Sequence, residues 1–141
     1  MYFAETAEHA IAEMIQHYRG QVLSRDDLVM AGRALALVSA TIPPSTRDGV
    51  ADLCDPTVLM RLDLRPDDTS ARDRRVTQGI ASAIHRDGAA GLRWWCAFFG
   101  EWHTVVLFRD RATPDYARPE PLDFENGELL EAARLLGIRF R

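Results

Sequence analysis

The 141-residue chain has no lysine, and all 17 of its basic residues are arginine. An arginine here therefore says less than usual about bidentate recognition of carboxylate or phosphate. A GC-rich genome is explanation enough. Cysteine is scarce as well: Cys54 and Cys96 are too few for a disulfide framework and read as free thiols. No run approaches the ~18 to 20 apolar residues of a membrane span, and the longest, 92–99, is broken by Arg93. The first five residues, Met1 to Glu5, lack the basic and apolar regions of a secretory signal, so a cytoplasmic location is expected. Net charge is -4, which argues against a general nucleic-acid binder. There is no Walker loop, Rossmann glycine fingerprint, serine nucleophile elbow, HExxH or CxxC, and no cofactor is expected.

What is present is the balance of a globular domain, 47% hydrophobic and 27% charged, at a length typical of one domain. The reading is a single domain over 1–141, a helical region at 1–55 packed on an α+β region at 56–141.

Hydrophobic spacing predicts an amphipathic helix over 4–19, stopped by Gly20. A second helix is predicted from the cap Ser24 to about Thr41, apolar almost all round and interrupted mainly by Arg33. Such a helix is central or covered by a partner. After a turn-rich connector at 43–56, Val58, Met60, Leu62 and Leu64 alternate with polar or second-face residues and predict a strand closed by Pro66. Val76, Ile80, Ala83 and Ile84 predict a helix ending at Gly88. The clearest element is a hairpin over 92–109, runs 92–99 and 102–108 joined by Gly100-Glu101 as a type II′ turn. That register pairs Trp95 with Val106, puts Cys96 on one face with His103, and makes both faces apolar. A proline-rich loop over 112–122, a helix from about Glu125 to Leu136 and a short strand at 138–141 complete the chain.

The expected fold is α+β, a small antiparallel sheet with helices. From about 57 onward the element order matches the ferredoxin-like βαββαβ motif.

Candidate chemistry is sparse. His9, Glu13 and His17 are spaced i, i+4, i+8, which suits zinc ligands but equally a solvated helix face. Cys96 with His103 could pair a nucleophile with its base, although a thiol in an apolar strand is ordinarily inert core. Arg72, Arg74 and Arg75 crowd a helix start where the dipole disfavours cations, either as an anion site or paired locally with Asp67, Asp68 and Asp73. Arg61, Asp63, Arg65, Arg139 and Arg141 would line an open sheet face competent for single-stranded nucleic acid.

The leading functional expectation is a non-enzymatic protein-binding or accessory protein, of the inhibitor, immunity or regulatory kind. It would act through the apolar helix or the aromatic hairpin, as a homo-oligomer or with a partner, away from membranes. The alternative is a small-molecule or anion-binding domain, enzymatic or not, contacted by Trp94, Trp95, Trp102, His103, Arg93, Arg72 and Arg75.

Overall fold

The computed structural model describes every residue except Ser70, Arg72, Ala97 and Phe98. In chain order the elements begin β1 (Tyr2–Ala4), α1 (Ala7–Ile15), β2 (Val22–Leu23), β3 (Val29–Met30), β4 (Arg33–Ala34), β5 (Ala36–Leu37) and β6 (Ala40–Thr41). Next come α2 (Pro44–Asp48), β7 (Val50–Asp52), α3 (Pro56–Arg61), α4 (Pro66–Thr69) and α5 (Arg74–Arg86). The chain ends with β8 (Gly91–Trp95), β9 (His103–Leu107), β10 (Asp115–Tyr116), β11 (Glu120–Pro121), α6 (Gly127–Leu136) and β12 (Arg139–Phe140). The class is α+β, as composition and pattern predict. Among the described residues, no helix is long and apolar enough to cross a membrane.

Two compact units form, one from Met1–Ala4 and Ile42–Asp115, the other from Glu5–Thr41 and Tyr116–Arg141. The first holds a four-stranded sheet in the order β1-β9-β8-β7, with β7 parallel to β8 and the other pairs antiparallel. One face carries Leu92 with Trp94, Val106 and Phe108 against Ala51, Leu53, Leu59, Ile80 and Ile84. The other face carries Val105 and Leu107 with Ala112, Met1, Phe3, Ile42 and Val50. Both hairpin faces are thus packed, as their double apolarity requires.

In the second unit α1 packs on α6, burying Ile11, Ala12 and Ile15 with Leu129, Ala132, Ala133 and Leu136. The alanines let the helix backbones approach closely. Helix α6 starts where Asn126 accepts from the Leu129 N–H at 2.8 Å and stops at Gly137, whose φ of 66° is left-handed. The last strand, β12, runs parallel to β2 and lies outside the four-stranded sheet.

Three local expectations are corrected. The helix predicted over 24–41 exists only as a 3-10 turn, Arg25–Leu28. Ser24 does cap it, reciprocally with Asp27, so the start signal was real. Continuation fails at Ala31 and Gly32, with φ of 51° and 74°. Two successive left-handed residues form the tight turn of a β3–β4 hairpin, pairing Met30 with Arg33 and Val29 with Ala34. Residues 58–61 of the strand predicted at 58–64 belong instead to helix α3, because Asp55 accepts from the Thr57 N–H at 2.7 Å and Pro56 occupies the first helical position. With that strand gone, the ferredoxin-like order has no first strand. The hairpin register is also shifted, pairing Trp95 with His103, Trp94 with Thr104 and Arg93 with Val105.

Gly91 opens β8 where no side chain fits. A Cβ there would lie 2.2 Å from the Val106 carbonyl oxygen and 3.0 Å from Leu107 Cδ2. Gly91→Ala is expected to cost about 1–3 kcal/mol, since backbone must move to admit it. Urea unfolding followed by tryptophan fluorescence measures this; an unchanged midpoint would show that the ladder accommodates the methyl.

Candidate functional site

Three of the residues singled out from the sequence are brought to one face of the hairpin. Trp95 sits opposite His103, and Arg93 lies two residues along on the same face, opposite Val105. Trp95 remains 38% exposed. Arg93 also faces Asp52 across the parallel β7–β8 ladder, and its Nη1 donates to Asp52 Oδ2 at 2.9 Å. Asp52 is anchored in turn, its Oδ1 accepting the Cys54 N–H at 2.9 Å. The guanidinium is thereby held in one place, on the sheet face that also carries an indole and an imidazole, a combination suited to a flat, negatively charged ligand.

The shifted register separates the other candidates. Trp94 points to the opposite face, into the core cluster, where its ring meets Tyr2 edge-on at 6.0 Å. Tyr2 continues into the strand network through its hydroxyl, 3.4 Å from Thr104 Oγ1. Trp102 packs edge-on against Phe99 at 4.6 Å, at the turn whose closure is the Trp102 N–H to Phe99 carbonyl bond of 3.0 Å. Cys96 follows β8, buried, its N–H donating to the Trp102 carbonyl at 2.6 Å. Because the pairing differs from the predicted one by an odd number of residues, His103 shares its face with Trp95 and not with Cys96.

Arg75 sits in the first turn of α5, where the Asp73 side chain caps its N–H at 2.8 Å. Arg72 lies outside the described residues. Among the described residues neither Arg74 nor Arg75 forms an ion pair, and Asp73 serves as a cap instead. Arg61 and Asp63 belong to α3 and the turn after it, while Arg139 lies in β12 on a separate two-stranded sheet. The open, arginine-lined sheet face imagined for nucleic acid is therefore not assembled.

In the second unit His9 is fully buried, which the reading of a solvated stripe did not anticipate. Its backbone N–H is capped by Thr6 and its Nε2 lies 3.4 Å from Glu13 Oε1. Gln16 Nε2 approaches Glu13 Oε2 at 3.4 Å and donates to the Glu13 carbonyl at 3.0 Å. His17 falls in the 3-10 turn Gln16–Tyr18 and stacks obliquely on Tyr18 at 4.1 Å, so the i+8 member leaves the stripe. The remaining His9–Glu13 pair joins a buried imidazole to a carboxylate that is 27% exposed, an acid–base couple with one end in reach of water. The signal for it in the sequence was the i, i+4 spacing; burial of His9 was not readable.

Comparison with known proteins gives one match. The RES domain family model covers residues 1–125, most of the chain. Neither the curated proteins nor the solved structures contain a match.

The Arg93–Asp52 pair carries a pH signature. Burial by itself would push the Asp52 carboxyl up, but the Cys54 N–H and the Arg93 guanidinium outweigh it and hold the group below its ordinary 3.8. A depressed folded-state value contributes stability that is present above 3.8 and lost as pH falls through the lower folded value. Asp52→Asn is expected to flatten this acid limb of the stability curve while leaving the neutral-pH fold intact. Thermal unfolding between about pH 2 and 6 tests it, and superimposable curves for the two proteins would refute the assignment.

Proposed function

Because the chain belongs to the RES-domain family, we propose that it binds a NAD-type dinucleotide and acts on it, under restraint by a protein partner. The association of that family with NAD-related, toxin–antitoxin-type domains supports both halves of the reading. The observation that carries it within the molecule is the Trp95–His103–Arg93 surface, with Asp52 fixing the guanidinium. An exposed indole is a stacking platform for a nucleobase or nicotinamide ring, worth about 1–3 kcal/mol per base. Arg93 can exchange part of its bonding with Asp52 for a diphosphate, whose oxygens match its planar fork. This makes the small-molecule alternative the leading reading and an enzyme the preferred form of it.

The protein-binding reading keeps its own support. Val29, Met30 and Val38, in the segment that runs from β3 to β6, are exposed, Met30 to 55%, and the only charge between 28 and 42 is Arg33. An apolar surface of this kind fits a partner protein or a second copy of the chain.

Incubation with NAD, followed by chromatography and mass analysis of the nucleotide, is the direct test. Wild-type protein is expected to consume NAD. Trp95→Ala and Arg93→Ala should raise the NAD concentration needed by about tenfold, as loss of one stacking or charged contact implies. Absence of both binding and consumption by wild type would remove the reading.

A further inference from the structure

Away from that surface, in the first unit, Gln78, Gly79, Ala81, Ser82, His85 and Arg86 of α5 line a shallow, open depression of about 630 Å³, closed on one side by Phe108. Gln78, Ser82 and Arg86 recur at i, i+4 and i+8, so they form one stripe along the helix, about 12 Å long. Their side chains make no hydrogen bond or ion pair among the described residues. An amide, a hydroxyl and a guanidinium thus stand in a row with their bonding capacity unused. Asp110, which reaches His85 of the lining, is compensated: it accepts from His85 Nε2 at 2.8 Å and lies 3.9 Å from Arg111 Nε. Phe108 is steadied by the edge-on His85 ring at 4.8 Å. Asp87 follows Arg86 about 100° round the helix and so leaves the stripe.

Gly79 is the independent observation. It sits inside a 13-residue helix, where glycine is the poorest residue short of proline. Among the described residues a Cβ built on it meets nothing within 4 Å, and its φ is not left-handed, so neither packing against them nor backbone geometry calls for glycine. A missing side chain in the lining of a depression permits close approach of another backbone.

We propose that this trough is a docking groove for an extended, acidic segment of a partner protein. The segment runs along Gln78 and Ser82 over Gly79 and Phe108, and sets a carboxylate on Arg86. The length of the stripe matches about four residues of extended chain at 3.3 Å each. An open trough exposes too much of a small ligand to hold it, whereas a chain lying across it gains from each free polar group in turn. The surplus positive charge at Arg86 selects the acidic sequence.

The test uses the full chain and a short fluorescent peptide of alternating leucine and glutamate, with its leucine–lysine counterpart as control, read by anisotropy. Saturable binding of the acidic peptide alone is expected. Gly79→Ala should weaken it by about tenfold or more while the melting temperature holds or rises, because alanine is the better helix former. Arg86→Ala should weaken it similarly and reduce its salt dependence. The NAD assay should be unaffected by either change, which separates this groove from the proposed nucleotide surface. Failure of the acidic peptide to bind, equal binding of the basic peptide, or indifference to both substitutions overturns the proposal.

Discussion

Strand β8 has hydrogen-bonded neighbours on both edges and apolar packing on both faces, and each of these demands fixes something else in the first unit. The parallel edge requires a crossover from β7, which the chain makes through α3, α4 and α5. Burial of Leu92 and Trp94 on one face then gives Ile80 and Ile84 of α5 their place. The antiparallel edge brings β9, and β9 in turn supplies the edge on which β1 adds. Gly91 is where these constraints meet most tightly, at a contact with the Val106 carbonyl that admits no Cβ.

How much of this was legible in the sequence follows from which signals were redundant. Helix α6 carries a cap, an apolar stripe and a terminal glycine that agree, and it lies where the pattern puts it, Gly127–Leu136. Helix α5 keeps the predicted stripe, with Ile80 and Ile84 inward, although the Asp73 that caps it was read as an ion-pair partner of the neighbouring arginines. The misreadings occur where one signal stood alone. Over 24–41 the abundance of alanine and leucine spoke for helix, but a single Ala31-Gly32 turn outweighs it, and β5 finds a partner in β11 about 80 residues downstream. Over 58–64 the alternation of apolar residues was coincidence, and Asp55-Pro56, read only as the end of a connector, was the start of a helix. Long-range pairing and local capping both beat periodicity in short segments.

The candidate site was legible in membership but not in arrangement. Arg93, Trp95 and His103 were all named from composition and hairpin position, yet the turn chemistry suggested a tight two-residue connection. The ladder in fact ends at Trp95 and His103, short of the predicted turn. An odd shift exchanges the faces of every residue on one strand relative to the other. It removes Cys96 from the company of His103 and puts Trp95 there instead. The ion pair that orients Arg93 could not be foreseen at all, since Asp52 lies 41 residues away and belongs to a strand too short to have a pattern.

Family membership changes the weight of these facts more than any single distance does. Excess apolar surface and the lack of a catalytic motif had favoured a purely protein-binding role. The first of these survives, because Val29, Met30 and Val38 are exposed. The second loses its force, since a surface assembled from strand neighbours leaves no contiguous signature to find. Arg93 shows the point in miniature. In an all-arginine chain its identity carries no information, and in the β7–β8 ladder it is a cation fixed by a carboxylate on the face that carries an exposed indole. What a residue can do chemically is set by what holds it still, and in this chain the holding groups are remote in sequence.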